Sequence, residues 1–298
     1  MDHECEDRLL NPAMEYYKHV YRDSTRWTPE KGNLEGKTVI VYGEQGYGDV
    51  IQFARYLPLL KQRGAIVHYH CPKVLHRAFG SLGVGLLDKD VPDLPEHDYH
   101  ILSLSLPFVL EQQRTLDFPY LKVDEKADLG NEPSEIKRIG VCWEGSPDNQ
   151  LGNARNCPLK HFRMLECPYT KLVMLQKEIH TASLLDGCED MDLYGYQIDD
   201  FYDTATVINS LDMVVTVDTA VLHLAGALGK LTYGILNVDH DPRWDIETWY
   251  PSVVLVKLKK HNDWPAAFRT VIHMCTGLVT EKDPDKDLVD DILNQSHV

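Results

Sequence analysis

The chain has 298 residues, 43% of them hydrophobic and 26% charged, with a formal net charge of −16 at pH 7. That length suits two packed α/β units of about 130 to 150 residues, and the acidic balance excludes a general nucleic-acid or anionic-membrane binder, which needs a dense basic surface. Seven scattered cysteines without a CxxC pair, an acidic polar start (MDHECEDRLL) and no apolar run near the roughly 20 residues of a membrane span predict a cytoplasmic protein with free thiols and neither a disulfide frame nor a zinc site.

Along the chain, Glu6 to Tyr21 predicts a short helix with Tyr16, Tyr17 and Tyr21 on one face, followed by a polar link to Gly36. The first half then reads as strand Thr38 to Tyr42, helix Asp49 to Arg63, strand Ile66 to His70, helix Lys73 to Ser81, short strand Val84 to Leu87 and strand Tyr99 to Leu104. Such βαβ alternation implies a parallel sheet. Asp124 to Lys137 is charged, contains Gly and Pro and lacks apolar periodicity, which predicts a domain linker. The second half repeats the logic: strand Arg138 to Trp143, helix Leu159 to Leu165, strand Lys171 to Gln176, helix Asp200 to Leu211, strand Met213 to Val217, helix Ala220 to Leu228 and strand Leu231 to Leu236. A late strand, Val253 to Leu258, and a helix from about Trp264 close it. The expected organisation is two Rossmann-like domains, 1–130 and 131–280, and a tail helix over 281–298, with Leu288, Ile292 and Leu293 on one side, packing back on the first domain.

Two strand-to-helix junctions carry candidate chemistry. In the first, GEQGYGDVI, Gly46 and Gly48 allow a backbone to pass close to a ligand, but the dinucleotide fingerprint is absent: its third glycine would fall at Ile51, and the second strand ends in His70-Cys71 rather than an acid. That disfavours a nicotinamide dehydrogenase. Asp49, at the helix opening, is either a ligand-facing carboxylate or a helix cap. In the second, VDTAVLHLAGALG, the Asp218-Thr219 turn and Ala220 open an apolar helix whose first-turn N–H groups suit a phosphate. Thr219 could offer hydroxyl and N–H, and His223, one turn on, either reaches the same anion or is a core residue.

The loop after Trp143 supplies Gly145, Ser146 and, at its end, Arg155, the best placed cation for a diphosphate, with Gln176 and Lys177 next; the bland reading is an ordinary solvated loop. Trp143 and the cluster Asp241-Pro242-Arg243-Trp244 with Trp249-Tyr250-Pro251 are candidates for contact with a base or sugar, or equally for packing. DxD pairs (Asp88/Asp90, Asp190/Asp192, Asp239/Asp241, Asp283/Asp285/Asp287) are no more than so acidic a chain produces by chance, so no metal site is predicted. HExxH, GxxxxGK[ST] and GxSxG are all missing, which removes zincin, NTPase and α/β-hydrolase readings.

Taken in order, GEQGYGDVIQFARYLPLLKQRGA, RIGVCWEGSP, Arg155-Asn156-Cys157-Pro158-Leu159, LVMLQKE and VDTAVLHLAGALGK resemble the heptosyltransferase-like glycosyltransferases of family nine, over roughly Lys37 to Asp263. The likeness is greatest to the branch found at the C-terminus of tetratricopeptide-repeat proteins, although Leu231 stands where the family commonly has proline and Asn156-Cys157 where that branch usually has serine. The resemblance implies an α/β GT-B fold, two Rossmann-like domains facing across a cleft, and inverting, metal-independent chemistry without a cofactor. It implies Asp49 as the general base toward a glycan or other hydroxyl acceptor in the first domain. A nucleotide-diphosphate sugar donor would sit in the second, its leaving charge on the Thr219 and Ala220 amides, His223, and Arg155 or Lys177. A non-catalytic nucleotide-sugar-binding module and a UDP-sugar-type epimerase are the alternatives.

Overall fold

The computed structural model describes residues 25–111, 118–147, 152–188, 191, 193–246 and 249–279; the helices expected over Glu6 to Tyr21 and in the tail lie outside them. Strands β1 (Thr38–Tyr42), β2 (Ile66–Cys71), β3 (Gly85–Asp88) and β4 (Tyr99–Leu102) pair in parallel in the order β3-β2-β1-β4. A second parallel sheet, in the order β10-β9-β8-β5-β6-β7, contains β5 (Lys137–Cys142), β6 (Thr170–Met174), the unforeseen β7 (Leu193–Tyr194), β8 (Met213–Val217), β9 (Thr232–Leu236) and β10 (Val253–Lys257). Central strands such as MVVTV are buried at every position, and their unbroken β-branched runs reflect a sheet covered on both faces.

The helices are α1 (Tyr47–Phe53), α2 (Leu57–Gln62), α3 (Leu106–Val109), α4 (Phe201–Asn209), α5 (Ala220–Ala227), α6 (Arg243–Ile246) and α7 (Trp264–Val279). The helix expected over Asp49 to Arg63 is α1 and α2 joined by a 3₁₀ turn at Ala54–Tyr56. Lys73 to Ser81 is not an α-helix but two 3₁₀ turns, Lys73–Leu75 and Gly80–Leu82, and Leu159–Leu165 is also 3₁₀. Segments this short gain little from helix propagation, so docking of Leu75, Phe79 and Phe162 into the core sets their form.

Each sheet reverses its strand order once, between β1 and β4 and between β5 and β8. Loops leaving the C-terminal ends of such a strand pair diverge and open a crevice. Gly43 to Gly46 follow β1, while Trp143 to Pro147 and Asp218-Thr219 follow β5 and β8. One apolar cluster fills the first sheet and continues onto one face of the second through Val214, Val221, Leu222 and Leu224. The other face, with Ile139, Val141, Trp143, Val215 and Val217, packs under α7 through Phe268. The expected linker has no regular element, yet it is docked: Ala127 N–H donates to Thr206 O at 3.2 Å, and Asn209 Nδ2 donates to the carbonyls of Val123 and Glu125.

Candidate functional site

A cleft of about 1110 Å³ is lined by both halves, and of the predicted site residues only Trp143 is missing from its walls. On the first wall, Gly46 is the extended N-cap of α1 and Asp49 its third residue; Asp49 Oδ2 accepts the Gly46 N–H at 3.1 Å. Its other oxygen, Oδ1, lies 2.7 Å from Arg243 Nη1 of the opposite half. Helix-terminus and cleft readings of Asp49 therefore both hold, one on each oxygen.

Arg243, expected as a sugar or base contact, stands in the cleft wall as the partner of Asp49. Its Nε and Nη2 also donate to Asp241 Oδ2, at 3.0 and 2.6 Å, and its Nη1 donates to Gln52 Oε1 at 3.2 Å. Burial works against the guanidinium charge, but Asp241 and Asp49 more than offset it and raise the Arg243 pKa. In the sequence Asp241 stands both in a DxD pair and in the Asp241-to-Trp244 cluster; its spacing of two from Arg243, which allows its side chain to accept the Arg243 backbone N–H (2.9 Å), is the signal for the pairing.

On the second wall, Thr219 caps α5 with extended backbone, its hydroxyl accepting the Val221 N–H at 3.2 Å. Thr216 donates to Val217 O, so the Thr219 hydroxyl donates in turn to Thr216 Oγ1, 3.3 Å away. The hydroxyl faces inward and is not offered to a phosphate; a helix start still leaves its first backbone N–H groups, here at Ala220, without intrahelical acceptors. His223 is 7% exposed, so it is both core and cleft residue. Nδ1 lies 2.9 Å from Tyr250 Oη, the ring stacks on Trp244 with centroids 5.2 Å apart, and Nε2 is 4.0 Å from Asp218 Oδ1. Burial, aided by the charges of Arg243, Arg55 and Arg155, lowers the His223 pKa to about 3, so the imidazole is neutral at physiological pH. Burial also raises the Asp218 carboxyl to about 6, against a hydrogen bond from Trp244 and the pull of Arg155.

Two glycines make this proximity possible. A Cβ on Gly48 would lie 2.7 Å from His223 Cδ2, so α1 approaches α5 only without a side chain there, whereas a Cβ on Gly46 would make ordinary contact at 3.5 Å. A Cβ on Gly145 would collide with the Arg155 guanidinium, which crosses the cleft floor to donate to Asp218 O at 2.9 Å and Ser146 O at 3.2 Å. Arg155 Nε is buried with no hydrogen-bond partner.

Three further expectations are corrected. The Gln176 amide is fully engaged in tying strand ends together: Oε1 accepts the N–H groups of Trp143 and Glu144, and Nε2 donates to the carbonyls of Glu144 and Glu178. Trp143 is 0% exposed, because strand alternation turns Cys142 and Glu144 to the cleft and Trp143 to the α7 side. Trp244 is buried beneath His223, so its ring supports the imidazole instead of a base. Lys177 does reach the cleft rim, donating to Asp199 O at 2.6 Å. After β4, Ser103 is buried and its Oγ accepts the Glu44 N–H. The exposed aromatic of the cleft is Tyr47, its ring 5.2 Å from Phe201 of the other half. Among the described residues, no three His, Cys, Asp or Glu side chains are grouped to hold a metal ion.

The sequence matches no family model and no curated protein. Solved structures do resemble it: the family 9 glycosyl transferase of Veillonella parvula has a TM-score of 0.62 at 12% identity, over 84% of this chain and 99% of that one. ADP-heptose LPS heptosyltransferase II of E. coli scores 0.57 at 14% identity, over 83% and 100%. The dodecameric iron-containing glycosyltransferase TibC of enterotoxigenic E. coli scores 0.53 at 10% identity, over 79% and 67%. At such identities the likeness is one of fold, and it is the expected GT-B arrangement of two parallel-sheet units.

Proposed function

We propose that this chain is an inverting, metal-independent glycosyltransferase that moves a sugar from a nucleotide-diphosphate donor, held by the second half, to a glycan or other hydroxyl acceptor held by the first. The observation that carries the reading is the meeting, in one cleft of a GT-B fold, of the Asp49 carboxylate with the start of α5, His223 and Arg155. The acceptor hydroxyl oxygen attacks the anomeric carbon from the Asp49 side and gives its proton to the carboxylate. The bond from that carbon to the diphosphate breaks on the opposite face, and the leaving oxygen's charge falls toward the Ala220 amide, the His223 imidazole and Arg155. Asp49 has both oxygens engaged, so it needs Arg243 to release Oδ1. A diphosphate is a suitable competitor, because guanidinium binds phosphate oxygens in charge-assisted pairs.

Arg155, Arg243 and the helix start supply the positive potential that a divalent metal supplies in other transferases, which favours a metal-independent step. Turnover unchanged by EDTA is the expected outcome, and its loss with recovery on metal addition would overturn this part. Free cysteines such as Cys71 and Cys142 accord with a cytoplasmic enzyme, and no described helix is long and apolar enough to cross a membrane. The first experiment is calorimetry with ADP, UDP and GDP, followed by turnover with the matching nucleotide sugars; failure to bind any of the three would sink the reading. The Asp49–Arg243 pair also favours a second reading, a nucleotide-sugar-binding module without turnover. Thermal stabilisation by donors with neither transfer nor hydrolysis would select it.

A further inference from the structure

We infer that Tyr250, held beside the buried guanidinium of Arg55, is a positioning residue that fixes His223 in the tautomer with its proton on Nε2, so that a neutral imidazole presents an N–H donor to the cleft. Arg55 lies in the 3₁₀ turn after α1 and is 4% exposed. Its Nε donates to Gln52 O at 2.9 Å and its Nη1 to Trp249 O at 2.7 Å. The guanidinium carbon sits 4.6 Å from the Tyr250 ring centroid, 5.1 Å from that of Tyr120 and 5.3 Å from that of Trp249. Carbonyls and aromatic faces balance this buried cation, with no carboxylate among those contacts.

A cation beside a phenol draws the oxygen lone pairs toward itself and turns the hydroxyl proton away. For Tyr250 the acceptors on hand are His223 Nδ1, at 2.9 Å, and the Tyr120 hydroxyl, of which His223 is the one within ordinary hydrogen-bond distance. Tyr120, the other phenol beside Arg55, already donates its proton to Ile51 O at 2.8 Å. Burial pushes the Tyr250 phenol well above its ordinary pKa, so the proton needed for that bond is present throughout the physiological range.

The far side of the ring specifies the same tautomer. Nε2 lies 4.0 Å from Asp218 Oδ1, which attracts an N–H and repels a lone pair. Packing prevents the ring from turning to evade the choice. Trp244 stacks on one face, Gly48 approaches without a side chain, and a Cβ on Gly226 would reach within 2.7 Å of Tyr250 Cδ1. A ligand at this point of the cleft must therefore bring an acceptor oxygen. That the acceptor is a diphosphate rests on the function proposed above; the tautomer does not.

The test is a long-range ¹⁵N–¹H correlation spectrum of the full chain labelled with ¹⁵N-histidine, with His223 assigned by its disappearance in His223→Gln. The expected result is an unprotonated Nδ1 and a protonated Nε2. A proton on Nδ1 in the wild-type protein overturns the inference without recourse to any variant. Tyr250→Phe should shift the ring toward a mixture of tautomers, Arg55→Gln should do so partially, and Arg55→Lys, which keeps the charge, should restore the wild-type pattern. An unchanged pattern in a folded Tyr250→Phe protein also overturns it. By calorimetry Tyr250→Phe should weaken ADP binding about tenfold, the size of one hydrogen bond to a charged group. If the tautomer is as inferred but no nucleoside diphosphate binds even the wild type, the function proposed above fails and the positioning role stands.

Discussion

Asp49→Asn separates chemistry from architecture. Removing one partner of a buried ion pair commonly costs about 3 to 5 kcal/mol, but here two features reduce that. Arg243 keeps Asp241 through Nε and Nη2, and an Asn carbonyl can still accept either the Gly46 N–H or one Arg243 N–H, though not both. The expected loss of stability is therefore about 1 to 2 kcal/mol, a few degrees in Tm at most. Turnover should fall by about 10²- to 10⁴-fold, the range of a lost general base. Diphosphate affinity should stay within about threefold, or tighten because Arg243 is released from a competing carboxylate. Thermal melts, ADP or UDP calorimetry and transfer rates on the same preparation read all three. Wild-type turnover would refute the base assignment, and a diphosphate affinity loss beyond tenfold would place Asp49 in the donor site instead.

Trp143→Phe should leave nucleotide affinity unchanged, since the ring is wholly buried on the α7 side. Its indole N–H is buried without a hydrogen-bond partner, so removing it offsets part of the lost packing. Denaturant melts should show a change within about 1.5 kcal/mol, and a tenfold loss in ADP binding would reject this placement. The pH dependence has two opposed limbs. His223, lowered to about 3, contributes stability that is complete above its ordinary value of 6.5 and lost as pH falls toward 3. Asp218, raised to about 6, contributes in the other sense: its share is complete below 3.8 and lost as pH rises through 6. Wild-type stability should thus change little between pH 7 and 5, while His223→Gln, retaining only the Asp218 limb, should gain on the wild type by about 2 kcal/mol over that interval. Parallel stability curves for the two proteins would contradict the His223 assignment.

The sheets were legible because buried parallel strands are written as β-branched runs closed by Gly, Asp or Pro, as in TVIVY and MVVTV. The 3₁₀ turns and the two-residue β7 were not, because docking rather than local pattern decides them. In the site, Asp49 and the α5 start could be read from the general behaviour of helix N-termini. The Asp49–Arg243 pair could not: its members are far apart in sequence, and Arg243 read locally as part of an aromatic cluster. Arg55 was missed for a similar reason, and Tyr250 was read only as a member of the aromatic cluster. A buried arginine without a nearby acid in sequence looks like any solvated cation until Tyr120 and Trp249 are folded over it.

The glycines show most plainly what sequence cannot distinguish. A glycine declares a missing Cβ, not what occupies the space: Gly48 read as room for a ligand and Gly145 as part of a binding loop. In the folded chain they make room for His223 and for Arg155. The two side chains differ in how far they can yield, and so should the alanine variants. His223 is wedged between Trp244, Tyr250 and α1, so Gly48→Ala has no cheap relaxation and should cost about 1 to 3 kcal/mol as overpacking. Arg155 is long and ends in the cleft, so Gly145→Ala should displace the guanidinium from Asp218 O at a cost below about 1 kcal/mol in stability. Its effect should instead be a diphosphate affinity about tenfold weaker, from the loss of one charge-assisted contact. Thermal melts and ADP calorimetry on the pair read the contrast directly. If Gly145→Ala is the less stable protein and Gly48→Ala the one with normal stability, the assignment of these glycines to His223 and Arg155 is wrong.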